Sequence, residues 1–200
     1  RALDAMQDAY RIAQEAAPGI KMSLAGNYHK ELVDKIYDYC IAWKQQFTPE
    51  DLALRNSKGW ISTSYTACPD AMPNVGSNNE PIEATYLPLY CLANGFNGFL
   101  RWSWMNWTDN PMHDSRFKLF TPGDTYIVYP GMHSSRRFEH IIRGVQNVAK
   151  IETLRKEYKQ KRNQKALQLL EDALSQFKNP TPNETELRES IYKIELLLNK

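Results

Sequence analysis

The sequence has little cysteine and little histidine, and neither is arranged as a metal site. Its three cysteines, Cys40, Cys68 and Cys91, lie far apart and fit neither a CxxC spacing nor a disulfide framework. The four histidines lack the spacing of zinc ligands. The phosphate-binding sequences GxGxxG and GxxxxGK[ST] are also missing. We therefore predict free thiols, no metal and no cofactor.

A strong charge imbalance and a long apolar run are also lacking. The formal net charge is +2 over 200 residues, which gives no reason to expect nucleic acid as a partner. The densest basic run, 156–165, is interrupted by Glu157 and Tyr158 and is best interpreted as a solvated helix face. No apolar run reaches the roughly 18 to 20 residues needed to cross a bilayer. We therefore expect a soluble chain without a membrane span.

The chain also lacks an initiator methionine and a signal peptide. It opens at Arg1, already inside a helical pattern of apolar residues. We expect it to be a piece of a longer protein, so the missing signal says nothing about localisation.

Helix and strand patterns alternate along the first part of the chain. Helical patterns cover residues 2–16, 31–35, 48–56 and 81–94, and strand patterns cover 21–25, 37–43, 60–67 and 99–107. This alternation predicts an α/β fold with parallel strands and crossover helices. Two closures fit: a doubly wound open sheet of four strands, or the second half of a TIM-type (β/α)8 barrel. We favour the half-barrel, because the strand-to-helix loops carry the unusual polar and aromatic residues.

Three of the five tryptophans fall within six residues, in the run GFNGFLRWSWMNW at 95–107. Apolar plates beside a few directional polar groups are typical of a sugar site. If the run is a strand, alternation puts Trp102, Trp104 and Asn106 on one face, which we expect to look into the barrel. The alternative is a core strand followed by a polar loop.

Several polar and aromatic residues follow the four predicted strands, and in a barrel they would converge on one face. They are Asn27, Tyr28 and His29; Trp43; Tyr65 and Cys68; and Trp102, Trp104, Asn106, Trp107 and Asp109. The triplet Asn79-Glu80-Pro81 resembles the acid/base triplet of many barrel glycosidases. It precedes a helix rather than ending a strand, so we interpret Asn79 as an N-cap.

A set of short motifs resembles the C-terminal part of the catalytic barrel of glycoside hydrolase family 123, also described as domain of unknown function 4091. They are GFLRW at 98–102, NW at 106–107, DSRF at 114–117, PGDTY at 122–126, VYPG at 128–131 and SSRRF at 134–138. AGNYH at 25–29 and YDYC at 37–40 are similar to members from gut and environmental Bacteroidetes. The match covers residues 2–154, with its core at 95–144. We therefore divide the chain into a barrel half, 1–154, and a helical C-terminal extension, 155–200.

The resemblance implies a retaining β-N-acetylgalactosaminidase with substrate-assisted catalysis, acting on an N-acetylgalactosamine-containing glycan in the periplasm or outside the cell. In this family an adjacent Asp-Glu pair, upstream of the first helix, orients the acetamido group and serves as acid/base. No Asp-Glu dipeptide occurs in these 200 residues, so the segment alone is expected to be inactive. Tyr65 remains as an auxiliary catalytic candidate. The substrate-binding candidates are Asn27, His29, Trp102, Trp104, Asn106 and Trp107, and the loop-bracing candidates are Asp114, Arg116 and Asp124.

Two other functions stay open. A non-catalytic carbohydrate-binding or scaffold domain could have kept the aromatic platform without the acid/base pair. A four-stranded nucleotide-binding domain is opposed by the missing phosphate-binding loops. The sequence preceding Arg1 separates the first of these from an enzyme, because a strand ending in Asp-Glu indicates catalysis.

Overall fold

Four parallel strands form one sheet in the computed structural model, which describes residues 2–68 and 70–199. The strands are β1 (Ser23–Gly26), β2 (Asp38–Ala42), β3 (Ile61–Tyr65) and β4 (Gly98–Phe99), and their order in the sheet is β1-β2-β3-β4. Every neighbouring pair is parallel. The predicted α/β fold with four parallel strands is therefore confirmed.

Helices connect the strands and then continue alone to the end of the described chain. The α-helices are α1 (Ala2–Ala16), α2 (Pro49–Ser57), α3 (Glu83–Ala93), α4 (Arg136–Gln160), α5 (Gln164–Ser175) and α6 (Glu184–Leu198). Short 3-10 helices span Lys30–Leu32, Pro130–Met132 and Gln176–Lys178. No helix among the described residues is long and apolar enough to cross a membrane.

Side chains close in sequence cap the starts of α2 and α4. The Thr48 hydroxyl accepts a hydrogen bond from the Asp51 backbone, the Asp51 carboxylate accepts one from the Thr48 backbone, and Pro49 occupies the first turn of α2. Ser135 caps α4 by accepting from the Phe138 backbone. These starts need no distant partner, which is why the sequence reveals them.

The helix α3 lies at the centre of the molecule, and most of its residues are buried. It packs closely against α4 at Gly144, where an added Cβ would lie 2.7 Å from the Thr85 carbonyl oxygen and 3.0 Å from the Pro88 ring. A glycine is needed there because the two backbones approach too closely for a side chain. The helix α3 also packs against β4.

The C-terminal helices α5 and α6 pack against α3 and α4, and the loop between them reaches residues near the sheet. The buried Trp43 indole donates to the Pro180 carbonyl oxygen at 2.8 Å, and the Tyr86 hydroxyl donates to the Asn179 carbonyl oxygen at 2.9 Å. Phe177 packs against the Tyr86 ring with 5.0 Å between centroids. The helix α4 crosses residue 154 without a break, and the predicted division there stays a prediction.

The predicted strand 99–107 is wrong beyond its first residue, because β4 ends at Phe99. The last ladder bond runs from the Leu100 amide to the Ser64 carbonyl at 2.9 Å, and β3 itself ends one residue later. The following segment instead bonds to residues 125–128: the Asn106 amide donates to Thr125, and the Ile127 amide donates to Trp104. A strand needs a paired neighbour, and β3 supplies none past Tyr65.

Two smaller predictions also need correction. The helix predicted at 31–35 is a short 3-10 turn, Lys30–Leu32. Asn79 does not cap α3, which begins after Ile82 without a side-chain cap. The Asn79 amide instead donates to the Glu83 carboxylate at 2.8 Å and to the Ala71 carbonyl oxygen at 2.8 Å. It therefore organises the loop before the helix.

Candidate functional site

The carboxyl ends of the four strands lie along one edge of the sheet, and this edge carries the candidate site. The Ser62 hydroxyl accepts from the buried Arg55 of α2, so Ser62 faces the helices. Alternation along β3 then places Thr63 and Tyr65 on the opposite face. Tyr65, the last residue of β3, is in register with Ala42, the last residue of β2.

The turn after β1 is held by hydrogen bonds to β2 and to its following loop. The Tyr39 hydroxyl accepts from the His29 backbone at 2.8 Å and donates to the Asn27 carbonyl oxygen at 2.6 Å. The Asn27 side-chain oxygen accepts from Gln45 at 3.1 Å. Asn27 is exposed and His29 is half-buried. Both candidate residues therefore sit on a turn whose backbone is fixed.

Tyr28 in the same turn points back to α2 rather than into the site. Its hydroxyl donates to the Asp51 carboxylate at 2.7 Å, and Lys30 pairs with the same carboxylate. The pKa of Tyr28 is raised to about 12, mainly by burial and secondly by the hydrogen bond to Asp51. This residue anchors the turn to the start of α2.

A charged pair joins the ends of β2 and β3 beside Tyr65. The Lys44 ammonium lies 3.4 Å from the Asp70 carboxylate, and Lys44 has a left-handed backbone with φ 73°. Burial raises the pKa of the Tyr65 hydroxyl, and the nearby Cys40 and Asp70 add to the rise. The hydroxyl is therefore protonated at neutral pH and can donate a hydrogen bond.

The end of β4 contributes a buried ion pair and an exposed indole. Arg101 donates to the Asp124 carboxylate at 2.8 Å, and both side chains are almost fully buried. The Trp102 indole N–H donates to the other oxygen of Asp124 at 3.1 Å. Trp102 stacks on Phe120 with 5.1 Å between ring centroids, yet it remains 40% exposed. An exposed aromatic surface beside hydrogen-bonding groups suits a sugar.

The three tryptophans of the run do not form one platform. Trp104 packs edge-on against Phe138 and lines an apolar groove of about 460 Å³ with Phe99 and Val148. The Trp107 indole donates to the Val128 carbonyl oxygen at 2.8 Å. The expectation that Trp102, Trp104 and Asn106 share one strand face is wrong, because the segment is irregular after Phe99. Their predicted roles as sugar contacts stay predictions.

The Trp43 backbone adjoins the site, since its amide donates to the Tyr65 carbonyl oxygen at 2.8 Å, but its side chain is part of the core. Its indole is buried, stacks near Tyr90 with 3.9 Å between centroids, and donates to Pro180. Asn106 and Asp109 are exposed, and Cys68 is half-buried in the loop after β3. Among these strand-end residues, Trp102 combines exposed surface with a defined orientation, and Tyr65 is half-buried at the end of β3.

The loop-bracing candidates make two separate ion pairs. Asp114 and Arg116 pair with each other at 2.7 Å on the exposed part of the loop after β4. The hydrogen bonds from Arg116 lower the pKa of Asp114 to about 2. Asp124 instead pairs with Arg101 in the interior. Only the second pair ties the loop to the sheet.

Sequence reasoning missed Arg137, which joins the loops that follow β3 and β4. Its buried guanidinium donates to the carbonyl oxygens of Val75 at 2.7 Å, Gly123 at 2.7 Å and Tyr126 at 3.0 Å. Gly123 has φ 73°, and a Cβ there would lie 2.1 Å from the Ser77 hydroxyl. The only signal in the sequence was the SSRRF motif, which does not say what the second arginine contacts. Arg137 fixes the two loops that border Tyr65 and Trp102.

The buried carboxylate of Glu83 has a structural role, because it accepts hydrogen bonds from the backbone of the loop before α3. Glu83 accepts from the backbones of Asn74 at 3.0 Å and Glu80 at 2.8 Å, and burial raises the pKa of its carboxyl. Within residues 2–68 and 70–199, no three His, Cys, Asp or Glu residues are grouped to hold a metal ion. The predicted independence from metals stays a prediction. At this edge of the sheet, Trp102 can stack on a ligand and the Tyr65 hydroxyl can donate a hydrogen bond to it.

Comparison with models of known protein families gives a match over most of the chain. The model of the glycoside hydrolase 123 catalytic domain matches residues 1–154. This chain belongs to glycoside hydrolase family 123. The family expected from the motifs is confirmed, and the match takes in the whole sheet and the first part of α4.

A solved structure shows the same fold in another family 123 member. It is a glycoside hydrolase from Clostridium perfringens, described as hydrolysing glycolipid glycans, with a TM-score of 0.82 and 22% sequence identity. The alignment covers 100% of this family 123 chain and 38% of that chain. This chain therefore spans well under half the length of that enzyme. A search of curated proteins finds no match.

Proposed function

We propose that this chain is part of a glycoside hydrolase that releases terminal N-acetyl-β-hexosamine residues, with β-N-acetylgalactosaminides as its main substrates. The match of residues 1–154 to a glycoside hydrolase catalytic domain carries the proposal. The placement of Tyr65 and Trp102 at the ends of neighbouring strands supports it. The Clostridium perfringens enzyme acts on glycolipid glycans, so a lipid-linked glycan belongs among the substrates to be tested.

The proposed fold of the intact protein is a (β/α)8 barrel, with this sheet as its second half. The four strands are parallel and occur in the sheet in sequence order. A barrel has this order, whereas a doubly wound sheet reverses direction at a switch point. Residues 1–154 would form the barrel half, and residues 155–200 the helical extension.

The proposed mechanism is retaining and substrate-assisted. The acetamido oxygen of the sugar attacks the anomeric carbon, and an oxazolinium intermediate forms as the leaving oxygen is protonated. This differs from the scheme in which a second carboxylate is the nucleophile. These 200 residues contain no Asp-Glu dipeptide, so we assign the acid/base pair to another part of the intact protein.

The residues of this chain would orient the sugar and stabilise the intermediate. The protonated Tyr65 hydroxyl would donate to the acetamido oxygen. Trp102 would stack on the C–H face of the ring, and Asn27 and His29 would contact hydroxyl groups. Hydrogen bonds that strengthen as charge develops accelerate the chemical step, whereas stacking mainly contributes binding.

A second candidate function is sugar binding without catalysis. The observation that favours it is the exposed aromatic surface of Trp102 beside hydrogen-bonding groups, which suits sugar binding and does not by itself hydrolyse a glycoside. Such a domain would bind N-acetylgalactosamine without hydrolysing its glycosides.

Hydrolysis by the intact protein separates these candidates. We expect it to cleave an aryl N-acetyl-β-galactosaminide faster than the corresponding glucosaminide, and not to cleave an aryl β-galactoside, which lacks the acetamido nucleophile. Proton NMR should show the β-anomer released first. Binding of N-acetylgalactosamine without hydrolysis supports the second function, and release of the α-anomer first excludes the proposed mechanism.

We also propose a periplasmic or extracellular location, supported by the similarity of the AGNYH and YDYC motifs to Bacteroidetes family members. Fractionation of the native organism with an antibody against this chain tests the location. Recovery with the cytoplasmic fraction contradicts it.

A further inference from the structure

Asp124 is placed so that its two carboxylate oxygens serve different partners. One oxygen accepts from the buried Arg101 at 2.8 Å, and the other accepts from the Trp102 indole at 3.1 Å. Asp124 is 1% exposed, whereas Trp102 is 40% exposed. The carboxylate therefore links a guanidinium in the interior to an indole at the surface.

This link fixes the plane of the Trp102 ring. An indole has a single N–H donor, so one hydrogen bond in the ring plane restricts rotation of the whole plate. Phe120 stacks on the indole at an interplanar angle of 29°, and a hydrogen bond from its amide to the Phe117 carbonyl at 3.0 Å closes the turn that carries it. The plate is held at its edge by Asp124 and supported by Phe120.

Among the described residues, Asp124 is the only ionic partner of the buried Arg101. Its Nε and one terminal nitrogen are buried without hydrogen bonds, and its Nη2 donates to Asp124. A buried guanidinium stays charged at lowest cost beside a carboxylate, so the pair keeps Asp124 in place. The position of the Trp102 indole therefore depends on the Arg101–Asp124 pair as well as on Phe120.

We propose that Asp124 is a positioning residue that orients Trp102 for stacking on the substrate sugar. The inference rests on the proposed function. The axial hydroxyl at C4 of a galacto sugar leaves its C–H groups at C3, C4 and C5 on one face of the ring, where a fixed plate contacts them together. A plate that rotates freely loses this contact and with it the preference for galacto over gluco sugars.

A double-mutant cycle in the intact protein tests the proposal. Asp124→Asn should weaken the binding of N-acetylgalactosamine roughly tenfold, measured by titration calorimetry, and raise KM more than it lowers kcat. In a Trp102→Phe background, which has no indole N–H, the same change should alter affinity less than about twofold. Asp114→Asn is the matched control, because Asp114 pairs with Arg116 on the same loop and does not contact Trp102.

Two further measurements keep the test decisive. Phe120→Leu removes the support of the plate without leaving Arg101 unpaired, and it should also weaken binding and reduce the galacto-to-gluco ratio of kcat/KM. Hydrogen exchange of the Trp102 indole N–H should accelerate in Asp124→Asn and not in Asp114→Asn.

The possible failures are distinguishable. The positioning role is overturned if Asp124→Asn lowers affinity equally with and without the indole N–H. It is also overturned if both Asp124→Asn and Phe120→Leu leave the affinity unchanged. Either result leaves the proposed function intact. A wild-type protein that neither binds N-acetylgalactosamine nor hydrolyses its glycoside overturns the proposed function and this inference with it.

Discussion

At the scale of single residues, burial decides what each polar group of the site can do. Tyr65 ends β3 on the face opposite the helices, and burial raises its pKa, so it is a hydrogen-bond donor at neutral pH. Trp102 offers a surface, because its single N–H is already bound to Asp124. One residue therefore suits transition-state stabilisation, and the other suits ground-state binding.

We expect Tyr65→Phe in the intact protein to lower kcat on an aryl N-acetyl-β-galactosaminide about a hundredfold, with little change in sugar binding. The lost hydroxyl would act mainly on the oxazolinium intermediate. Steady-state kinetics and calorimetric binding measure the two effects. Tyr192→Phe, at an exposed position on α6, is the control. Normal turnover in Tyr65→Phe removes Tyr65 from the mechanism.

Tyr28 should make folding stability sensitive to alkaline pH. Its pKa is raised from 10.0 to about 12 by burial and by the hydrogen bond to Asp51. Between these values the unfolded chain loses the proton first, so this contribution is complete below pH 10 and declines toward pH 12. Urea unfolding should therefore show a smaller loss of stability over this range in Tyr28→Phe than in the wild type. Equal slopes would mean that the pKa is not shifted.

At the scale of elements, close backbone packing holds the helical layer in place. The contact between α3 and α4 depends on Gly144, which lies against the Thr85 carbonyl oxygen and Pro88. The Thr85 hydroxyl also bonds to His140 of α4 at 2.9 Å. Because α4 carries Arg137 as well, this packing determines where the loops after β3 and β4 are clamped.

Gly144→Ala should destabilise the protein by about 1 to 3 kcal/mol, because a Cβ forces the two helices apart. A denaturant titration followed by circular dichroism measures the change. Gln146→Ala changes an exposed position of the same helix and should have an effect within about 0.5 kcal/mol. Equal stability of Gly144→Ala and wild type would show that the helices can separate without cost.

At the scale of the whole molecule, both outer strands of the sheet lack a neighbour among the described residues. β1 and β4 each pair on one side only. Unpaired edges expose backbone groups that bind other chains. On the proposed half-barrel, the rest of the intact protein would cover these edges.

We therefore expect residues 1–200, expressed alone, to aggregate or to lack fixed tertiary packing. Near-ultraviolet circular dichroism, amide NMR and calorimetry measure this. The intact protein, which we expect to melt cooperatively, is the control. A sharp cooperative melt with dispersed amide signals from the isolated segment contradicts the prediction.

The family and the order of elements could be predicted from the sequence because they depend on local or ordered signals. The caps at Thr48 and Ser135 act within one helical turn. Alternating apolar patterns predicted three of the strands to within a few residues. The motifs between residues 95 and 144 indicated family 123, and the family model confirmed it.

Only the tertiary structure decided where the aromatic residues point. The segment after Phe99 has the composition of a strand, yet it leaves the sheet because β3 ends and residues 125–128 supply other partners. Trp102 and Trp104 consequently lie against different neighbours, Phe120 and Phe138. Trp43 is buried, and its indole donates to the carbonyl oxygen of Pro180, 137 residues away. Local sequence sets the helix starts and strand propensities, whereas partners distant in the chain set pairing and burial, and these determine which aromatic surfaces a ligand can reach.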